Sequence, residues 1–422
     1  MIEVASVGTQ SARPRFFYGW VIVALAALGV ACSFSVLVIS LTPIFGGTLS
    51  VDLGWTKSQI LYGSSVAAIG APISAPFIGA LTDRIGVRPM LVASFLMEAL
   101  IVASFKFMDS HILGYVLRYL ALVVFCMGTT QVVFSRLVSS WFNRRLGLAL
   151  GITLAGVGMG GAVWSPTAQW LIDHYGWRDA YLYIAGFIAF ITVPLLALLV
   201  RDTPAARGLA VDGEQGSGSV QAEAMASHKG MTLREVAGTS SYWVMLGAFF
   251  LVGLSVQSIA FHIVPLIKSR GASAQYAASL QGFLWIAAVV GRISSGWFID
   301  RAFAPRVAQA YLLGPIIGIA ALAVGVSGPS VFFAVMLVGL ALGGESDVIA
   351  FLVRRYFGLL HYSRIYGTFF AVYGSAAAFG PQITAWAVEH VAGGYTVVLK
   401  VLVALVLGAA ALLFFLPRYE RA

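Results

Sequence analysis

Three ionisable side chains lie inside long apolar runs of the sequence. Arg292 is in the run 276–300, and Glu345 and Asp347 are in the run 330–356. A charge at the centre of a bilayer costs about 2.5–3.5 kcal/mol on insertion scales, so such residues usually bind a substrate or one another. The planar guanidinium matches a carboxylate through two parallel hydrogen bonds. Arg292 is therefore predicted to bind a carboxylate substrate. The alternative is that Arg292 forms a structural ion pair with one of the acids. The two roles are compatible if the acid releases Arg292 when substrate arrives.

The two acids belong to the sequence Gly343-Gly344-Glu345-Ser346-Asp347. Paired glycines let neighbouring backbones approach closely. The acids are two residues apart, about 200° around a helix, so they cannot both face one cavity. We predict that Glu345 pairs with Arg292 and takes up a proton when substrate captures the arginine, because loss of a neighbouring cation favours the neutral acid. Asp347 is the second candidate for the proton, and a helix-stabilising ion pair is the alternative role.

Four further polar or aromatic side chains are candidates for the same cavity. His262 precedes Pro265, and a histidine titrates near neutral pH, which suits a proton carrier. The alternative for His262 is a polar group satisfied by its neighbours. Gln257 lies earlier on the same predicted helix, and Gln131 can offer a hydrogen bond to substrate. Tyr373 is predicted to line the cavity.

The composition places these residues in a membrane. Of 422 residues, 59% are apolar and 10% are charged, and the mean hydropathy is +0.90. Soluble globular proteins have about 25% charged residues. This surplus of apolar residues exceeds what a soluble core can hide, so the surrounding medium is predicted to be lipid. The net charge of +9 comes from short basic clusters between apolar runs, which argues against nucleic-acid binding.

Apolar runs of about 20 residues divide the chain into two sets of six predicted helices. The first set occupies 17–45, 59–82, 88–108, 111–138, 144–171 and 178–200, and the second occupies 242–268, 276–300, 307–326, 330–356, 363–391 and 394–416. A polar segment rich in glycine and serine separates the sets and is predicted to be a cytoplasmic linker. The predicted domains are a polar tail at 1–15, a half at 16–200, the linker at 201–240, a half at 241–416 and a tail at 417–422.

The distribution of basic residues orients these helices. Of the 26 lysines and arginines, seventeen fall on the side of the linker, six on the opposite side and three within spans. The positive-inside rule therefore places both termini in the cytoplasm. We predict a multi-pass protein of the cell's inner (cytoplasmic) membrane.

The two halves repeat one motif. Glycine, aspartate and arginine recur at the same spacing, offset by 217 residues, in the segments Gly79-Ala-Leu-Thr-Asp83-Arg84-Ile-Gly-Val-Arg88 and Gly296-Trp-Phe-Ile-Asp300-Arg301. An aspartate at a helix end can bind arginines and the positive N-terminus of a neighbouring helix. We predict that these residues, with Arg136 near Asp83, form a cytoplasmic gate. The alternative is a basic loop that only sets orientation. Glu98 is expected to pair with Arg118 or Arg136.

Several motifs resemble known transporters. The segment Gly79–Arg88 resembles the signature loop of the major facilitator superfamily, G-x-L-x-D-R-x-G-R-R. Phe17–Trp20, Trp141–Gly151 and Gly176–Arg178 resemble motifs of the bacterial branch of the monocarboxylate transporter family, which is related to oxalate/formate antiporters. The resemblance implies the major facilitator fold, an all-α membrane protein of twelve transmembrane helices in two pseudo-symmetric six-helix halves.

The same resemblance bears on the site. Gly291-Arg292 resembles the place where the family has an arginine that binds the substrate carboxylate. The family's aspartate one turn earlier is Ala288 here, and its first-helix lysine is replaced by apolar and hydroxyl residues near Val38. Tyr373 lies in the neighbourhood of the antiporters' lysine. Proton coupling through that aspartate and lysine, and a dicarboxylate site of two cations, are therefore not implied.

These observations predict a secondary active transporter of a small organic anion, in particular a proton-coupled monocarboxylate symporter that works by alternating access. The first alternative is an organic-anion exchanger, and a remote one is a non-transporting sensor. An enzyme is disfavoured, and no cofactor or metal is expected. The predicted partners are a small carboxylate, protons and the lipid bilayer, with a monomer as the functional unit. The residue matching Arg292 in the first half is Ala75, so the anion site is predicted to belong to the second half.

Overall fold

The computed structural model describes residues 17–213 and 230–419, which are helical apart from turns and one isolated bridge between Gly230 and Gly358. The predicted tail at 1–15 lies outside the described residues, as do part of the predicted linker and the last three residues. The helices are α1 (Gly19–Ala31), α2 (Phe34–Leu53), α3 (Lys57–Ile85), α4 (Val87–Ser104), α5 (Ile112–Phe125), α6 (Gln131–Trp141), α7 (Leu146–Phe187), α8 (Val193–Leu199), α9 (Leu233–Ala237), α10 (Ser240–Ser269), α11 (Ala274–Ile299), α12 (Ala304–Ala323), α13 (Pro329–Phe357), α14 (Tyr362–His390) and α15 (Gly394–Phe414).

Within the described ranges, nine helical stretches are long and apolar enough to cross a membrane. The predicted span 111–138 is not among them because it is divided into two short helices, α5 and α6. The predicted spans 144–171 and 178–200 run together as one stretch, Leu146–Leu199. Helix α14 has the length of a span but is rich in small and polar residues. The all-helical fold is confirmed, while the count of twelve spans stays a prediction.

Helix α7 changes direction at Gly176, which has φ 78° and ψ 160°. Only glycine adopts this backbone conformation without steric cost. The predicted boundary between the spans 144–171 and 178–200 therefore coincides with a bend rather than with a loop.

Two helix breaks lie against each other in the first half. Break 1, at Cys32 and Ser33, separates α1 from α2, and break 2, from Cys126 to Thr130, separates α5 from α6. The Phe34 backbone N–H donates to Thr129 Oγ1 at 3.2 Å, which joins the two breaks. Neither break contains a proline, so a missing N–H does not account for them.

The halves meet along two pairs of helices, α3 with α14 and α7 with α11. Glycines allow the backbones to touch there: a Cβ added to Gly367 lies 2.6 Å from Ala75 O, and one added to Gly151 lies 2.8 Å from Arg292 O. The terminal side denotes the end of the bundle where both ends of the described chain lie, with Asp83 and Asp300. Both copies of the repeated glycine–aspartate–arginine motif lie at the terminal side.

Candidate functional site

Arg292 extends from α11 to helices of both halves. Its Nε donates to Gly343 O of α13 at 2.8 Å, and its Nη1 donates to Leu154 O of α7. Its Nη2 lies 3.4 Å from Ser346 Oγ, a long hydrogen bond. The side chain remains 16% exposed. Arg292 is therefore held by backbone carbonyls, and its side chain keeps a small exposed fraction.

Asp347 is the acid that pairs with Arg292. Its Oδ2 lies 3.6 Å from Arg292 Nε, and its side chain is fully buried. The prediction that Glu345 forms this pair is wrong. The acids project about 200° apart on α13, and the rotation of that helix turns Asp347 toward α11. Among the described residues, Asp347 Oδ2 has no hydrogen-bond partner, so the pair is a loose one.

Glu345 faces α14 instead. The Tyr373 hydroxyl donates to Glu345 Oε2, and Gln257 Nε2 donates to Tyr373 Oη at 2.9 Å. Arg292 lies close enough to act electrostatically on both Glu345 and Tyr373. Five predicted site residues from four helices thus lie in one region: Asp347 contacts Arg292 directly, and Gln257, Tyr373 and Glu345 form a hydrogen-bonded chain within its electrostatic reach.

Close packing of α11 on α13 fixes the position of Arg292. A Cβ added to Gly291 lies 2.0 Å from Leu340 O, and one added to Gly343 lies 1.7 Å from Ala288 O. The expected close approach at the paired glycines is present. It places the Gly343 carbonyl within reach of the guanidinium.

The structure does not bring His262 or Gln131 to this cluster. His262 Nε2 lies 2.9 Å from Pro381 O, so it must be the protonated nitrogen, and Nδ1 accepts from Tyr395 Oη at 3.1 Å. Both ring nitrogens therefore have hydrogen-bond partners, as in the alternative interpretation. Gln131 begins α6 directly after break 2 and is partly exposed. Roles of these two residues in transport stay predictions.

The repeated aspartates cap helices of the opposite half. Asp83 accepts from the backbone N–H groups of Ser363 at 3.2 Å and Arg364 at 2.9 Å, where α14 begins. A Cβ added to Gly79 lies 2.1 Å from Ser363 O. Arg136 adds a second link, since its Nε is 3.9 Å from Asp83 and its Nη1 donates to Leu359 O.

The second copy of the motif makes the equivalent contacts on the other side of the molecule. Asp300 accepts from the N–H groups of Gly147 at 2.6 Å and Leu148 at 2.9 Å, where α7 begins. A Cβ added to Gly296 lies 2.4 Å from Gly147 O. Two carboxylates at two helix N-termini thus link the halves at the terminal side.

The chain has relatives among known proteins. The model of the Major Facilitator Superfamily matches residues 19–381. The chain belongs to this superfamily. It is 27% identical over 299 residues to monocarboxylate transporter 13 of Bos taurus, covering 68% of this chain and 63% of that protein, which is less than two thirds of its length. It is 27% identical over 325 residues to the gallate transporter of Pseudomonas putida, covering 72% of this chain and 70% of that protein. The predicted resemblance to monocarboxylate transporters is confirmed.

A solved structure agrees on the fold. The proton:xylose symporter XylE, bound to 6-bromo-6-deoxy-D-glucose, superposes with a TM-score of 0.70 at 16% identity, covering 95% of this chain and 96% of that chain. At this identity the likeness shows the major facilitator fold alone. The chain is therefore a multi-pass membrane protein of a transporter superfamily.

Three predicted gate arginines do not cross between the halves. Arg84 is exposed. Arg88 donates to Ala197 O at 2.8 Å within the first half. Arg301 stacks on Trp297 at 3.8 Å and donates to its carbonyl, within α11. Their positions suit a basic surface better than a contact that closes the terminal side.

Arg355 is a link that the sequence did not single out. Its Nη1 donates to Asn143 Oδ1 at 2.9 Å and its Nη2 to Asn143 O at 2.7 Å, which ties α13 to the start of α7. Asn143 belongs to the motif Trp141–Gly151, so the sequence contained a signal on one side of the contact. The partner at the end of α13 had no motif to mark it.

Among the residues that the structure describes, no arginine pairs with Glu98, so the expected pairing is wrong. Arg118 donates to Gly114 O at 2.8 Å and to Ser104 O at 3.2 Å, and Arg136 is engaged by Asp83. Glu98 is fully buried in α4. The reason is geometric, since α4 turns this acid toward the two helix breaks and away from both arginines.

Proposed function

We propose that the protein is a proton-coupled symporter of a small monocarboxylate that works by alternating access. The observation that supports this best is the contact set of Arg292. Its guanidinium bonds carbonyls of both halves and only loosely contacts Asp347, at 3.6 Å. A substrate carboxylate offers two oxygens in the plane of the guanidinium, a better match than two separate carbonyls and one distant acid.

Substrate and proton are coupled through this arginine. When a carboxylate takes the guanidinium, Asp347 is left buried without its cation, and an uncompensated buried charge is costly. Asp347 then takes up a proton. Glu345 is a second acceptor, held by the Tyr373 hydroxyl. The sequence prediction assigned this task to Glu345, and the geometry favours Asp347 as the first acid to respond.

Closure and opening involve the aspartate contacts at the terminal side. In the described conformation Asp83 and Asp300 each bind the N-terminus of a helix in the opposite half. Opening toward that side breaks both sets together, because each half holds one aspartate and one capped helix. Arg292 also releases Leu154 O when the halves separate. The site is thereby exposed to one side at a time.

The remaining features of the proposal follow the charge pattern and the fold. The terminal side faces the cytoplasm of a cell's inner membrane, since the basic clusters lie there. Twelve helices form the two halves, with domain boundaries near 16–200 and 241–416. The functional unit is the monomer, because the site is built within one chain.

Uptake by purified protein in liposomes tests the proposal. Uptake of labelled lactate and of a labelled aromatic acid is measured under three conditions. The first has an inward proton gradient, the second has no gradient, and the third has no gradient but has unlabelled acid inside the liposomes. Symport predicts that the proton gradient drives accumulation into liposomes containing no anion. Uptake that ignores the gradient and requires internal anion identifies an exchanger, and absence of both identifies a protein with another substrate or role.

A further inference from the structure

Glu98 is a buried acid in the half that does not contain Arg292. It is 0% exposed, and neither carboxyl oxygen has a hydrogen-bond partner within residues 17–213 and 230–419. The polar and titratable groups that face it are the Thr129 hydroxyl and the thiols of Cys32 and Cys126. These neighbours include no cation. An ionised carboxyl in such a place would be a buried charge with nothing to compensate it, so the acid must be neutralised.

Three backbone irregularities converge on this carboxyl. Cys32 belongs to break 1, and Cys126 and Thr129 belong to break 2. A π-helical turn, Ile188–Thr192, supplies the third, and the Thr192 hydroxyl contacts Cys32 Sγ at 3.7 Å. Turns of this type are rare and are frequently found at functional sites. Continuous helices would bury the same apolar surface, so packing alone does not explain why the breaks surround one acid.

The hydrogen bonds of Thr129 show which form of Glu98 fits. Its hydroxyl donates to Cys126 O at 2.8 Å and accepts from Phe34 N at 3.2 Å. Its one hydrogen is already used, so toward Glu98 it offers only a lone pair. A protonated carboxyl, with its own O–H, can donate to that lone pair, whereas a carboxylate cannot.

We propose that Glu98 is a proton-binding site, occupied in this conformation and sealed between the two helix breaks. The ligand is a proton rather than a metal cation. Hard cations require several oxygen ligands, and Glu98 is faced by two thiols and a single hydroxyl. In the part of the chain that the structure describes, no group of three or more metal-ligating side chains includes it.

Release of this proton follows from the position of break 2. Helix α6 runs from the break to the terminal side, where Arg136 contacts Asp83 and Leu359 O. When the terminal side opens, α6 loses its contact with Leu359 O of the opposite half, and its movement is taken up at break 2, since hinges form where helices end. Water then reaches Glu98. This step rests on the proposed gate, whereas occupancy of the site by a proton does not.

Infrared spectroscopy of the purified protein tests occupancy without any substrate. We expect a carbonyl band of a protonated carboxyl at neutral pH that shifts in D2O and disappears in Glu98→Gln. The band should persist in Glu345→Gln, which removes an acid of the proposed substrate site, and in the matched control Glu389→Gln, an exposed glutamate. If the wild-type spectrum loses no band in Glu98→Gln, Glu98 is ionised and the proposal is overturned.

The two cysteines of the chain report on release, because both face Glu98 and both are buried. Their alkylation by a membrane-permeant maleimide is compared between wild type and Glu98→Gln. An ionised Glu98 disfavours the neighbouring thiolates, so a faster wild-type rate reflects access to the thiols rather than their ionisation. As pH rises, Glu98 loses its proton, and the uncompensated buried charge favours opening of the site to water. The alkylation rate of the wild-type cysteines should therefore increase several-fold relative to the variant. A ratio independent of pH refutes release, and a ratio that follows Na⁺ at constant pH refutes the proton as ligand.

Stability adds an outcome that does not depend on transport. Glutamine has the shape of protonated glutamate, so Glu98→Gln should melt within a few degrees of wild type. A large loss of thermal stability in this variant shows that the negative charge holds the fold together, and it overturns the proposal. Failure of uptake in the liposome experiment would contradict the proposed substrate, but it would not affect the infrared and alkylation results.

Discussion

Replacing Gly296 by alanine adds one methyl group where the two halves touch backbone to backbone. The new Cβ lies 2.4 Å from Gly147 O, and an ordinary carbon–oxygen contact is about 3.3 Å or longer. Helices α7 and α11 must therefore separate by roughly 1 Å. Overpacking of this kind costs about 1–3 kcal/mol, which shifts the equilibrium away from the closed terminal side by a factor of about 5–150.

The chain offers a matched control on the same helix. Gly282 of α11 has nothing within 4 Å of an added Cβ. Both substitutions gain the same helix propensity, about 1 kcal/mol, so their difference isolates the contact between the halves. Gly79→Ala tests the other copy of the motif, because its Cβ lies 2.1 Å from Ser363 O.

Pulsed electron paramagnetic resonance measures the effect. Spin labels are attached to cysteines at Ile85 and Ala302, which are exposed on the terminal side in opposite halves, with the native cysteines replaced by alanine. Gly296→Ala should populate longer distances, and Gly282→Ala should reproduce wild type. If folded Gly296→Ala keeps the wild-type distance distribution, the glycine contact does not hold the terminal side closed, and the inference from the repeat is wrong.

Three further predictions concern the site and the pH response. Arg292→Lys should lower carboxylate uptake at least tenfold, since a point charge cannot replace the planar fork. Arg118→Lys is the control and should stay within twofold, because Arg118 donates to Ser104 and Gly114 within the first half. Equal uptake by both variants contradicts the clamp. Glu345→Gln should retain anion exchange but respond less to a proton gradient, and an unchanged gradient response in liposomes removes Glu345 from coupling. Burial raises the pKa of Asp300, which follows the span Gln275–Ile299, from 3.8 to about 6. The closed state therefore binds this proton more tightly than an open state in which Asp300 is hydrated. Acidification through about pH 6 should favour the closed state and shorten the distance between the spin labels. A smaller change of this distance with pH in Asp300→Asn checks that Asp300 is the group responsible.

Hydrophobic patterning and the motifs were sufficient for the class of protein and much of the site. A chain with 10% charged residues and long apolar runs must be solvated by lipid, and that cost makes an arginine such as Arg292 informative wherever it occurs. The repeat of glycine and aspartate at Gly79, Asp83, Gly296 and Asp300 predicted contacts at helix ends. These features depend on residue type and spacing, which the sequence contains directly.

Tertiary packing decided which groups meet. The rotation of α13 about its axis places Asp347 against Arg292 and Glu345 against Tyr373, although both acids share one short motif. The targets of Asp83 and Asp300 are backbone N–H groups, which have no signature in the sequence. The surroundings of Glu98 depend on two helix breaks without proline, so the sequence predicted an arginine partner that the fold does not supply. Periodicity fixes where a side chain lies on its own helix, but the rotation and approach of neighbouring helices determine what that side chain faces.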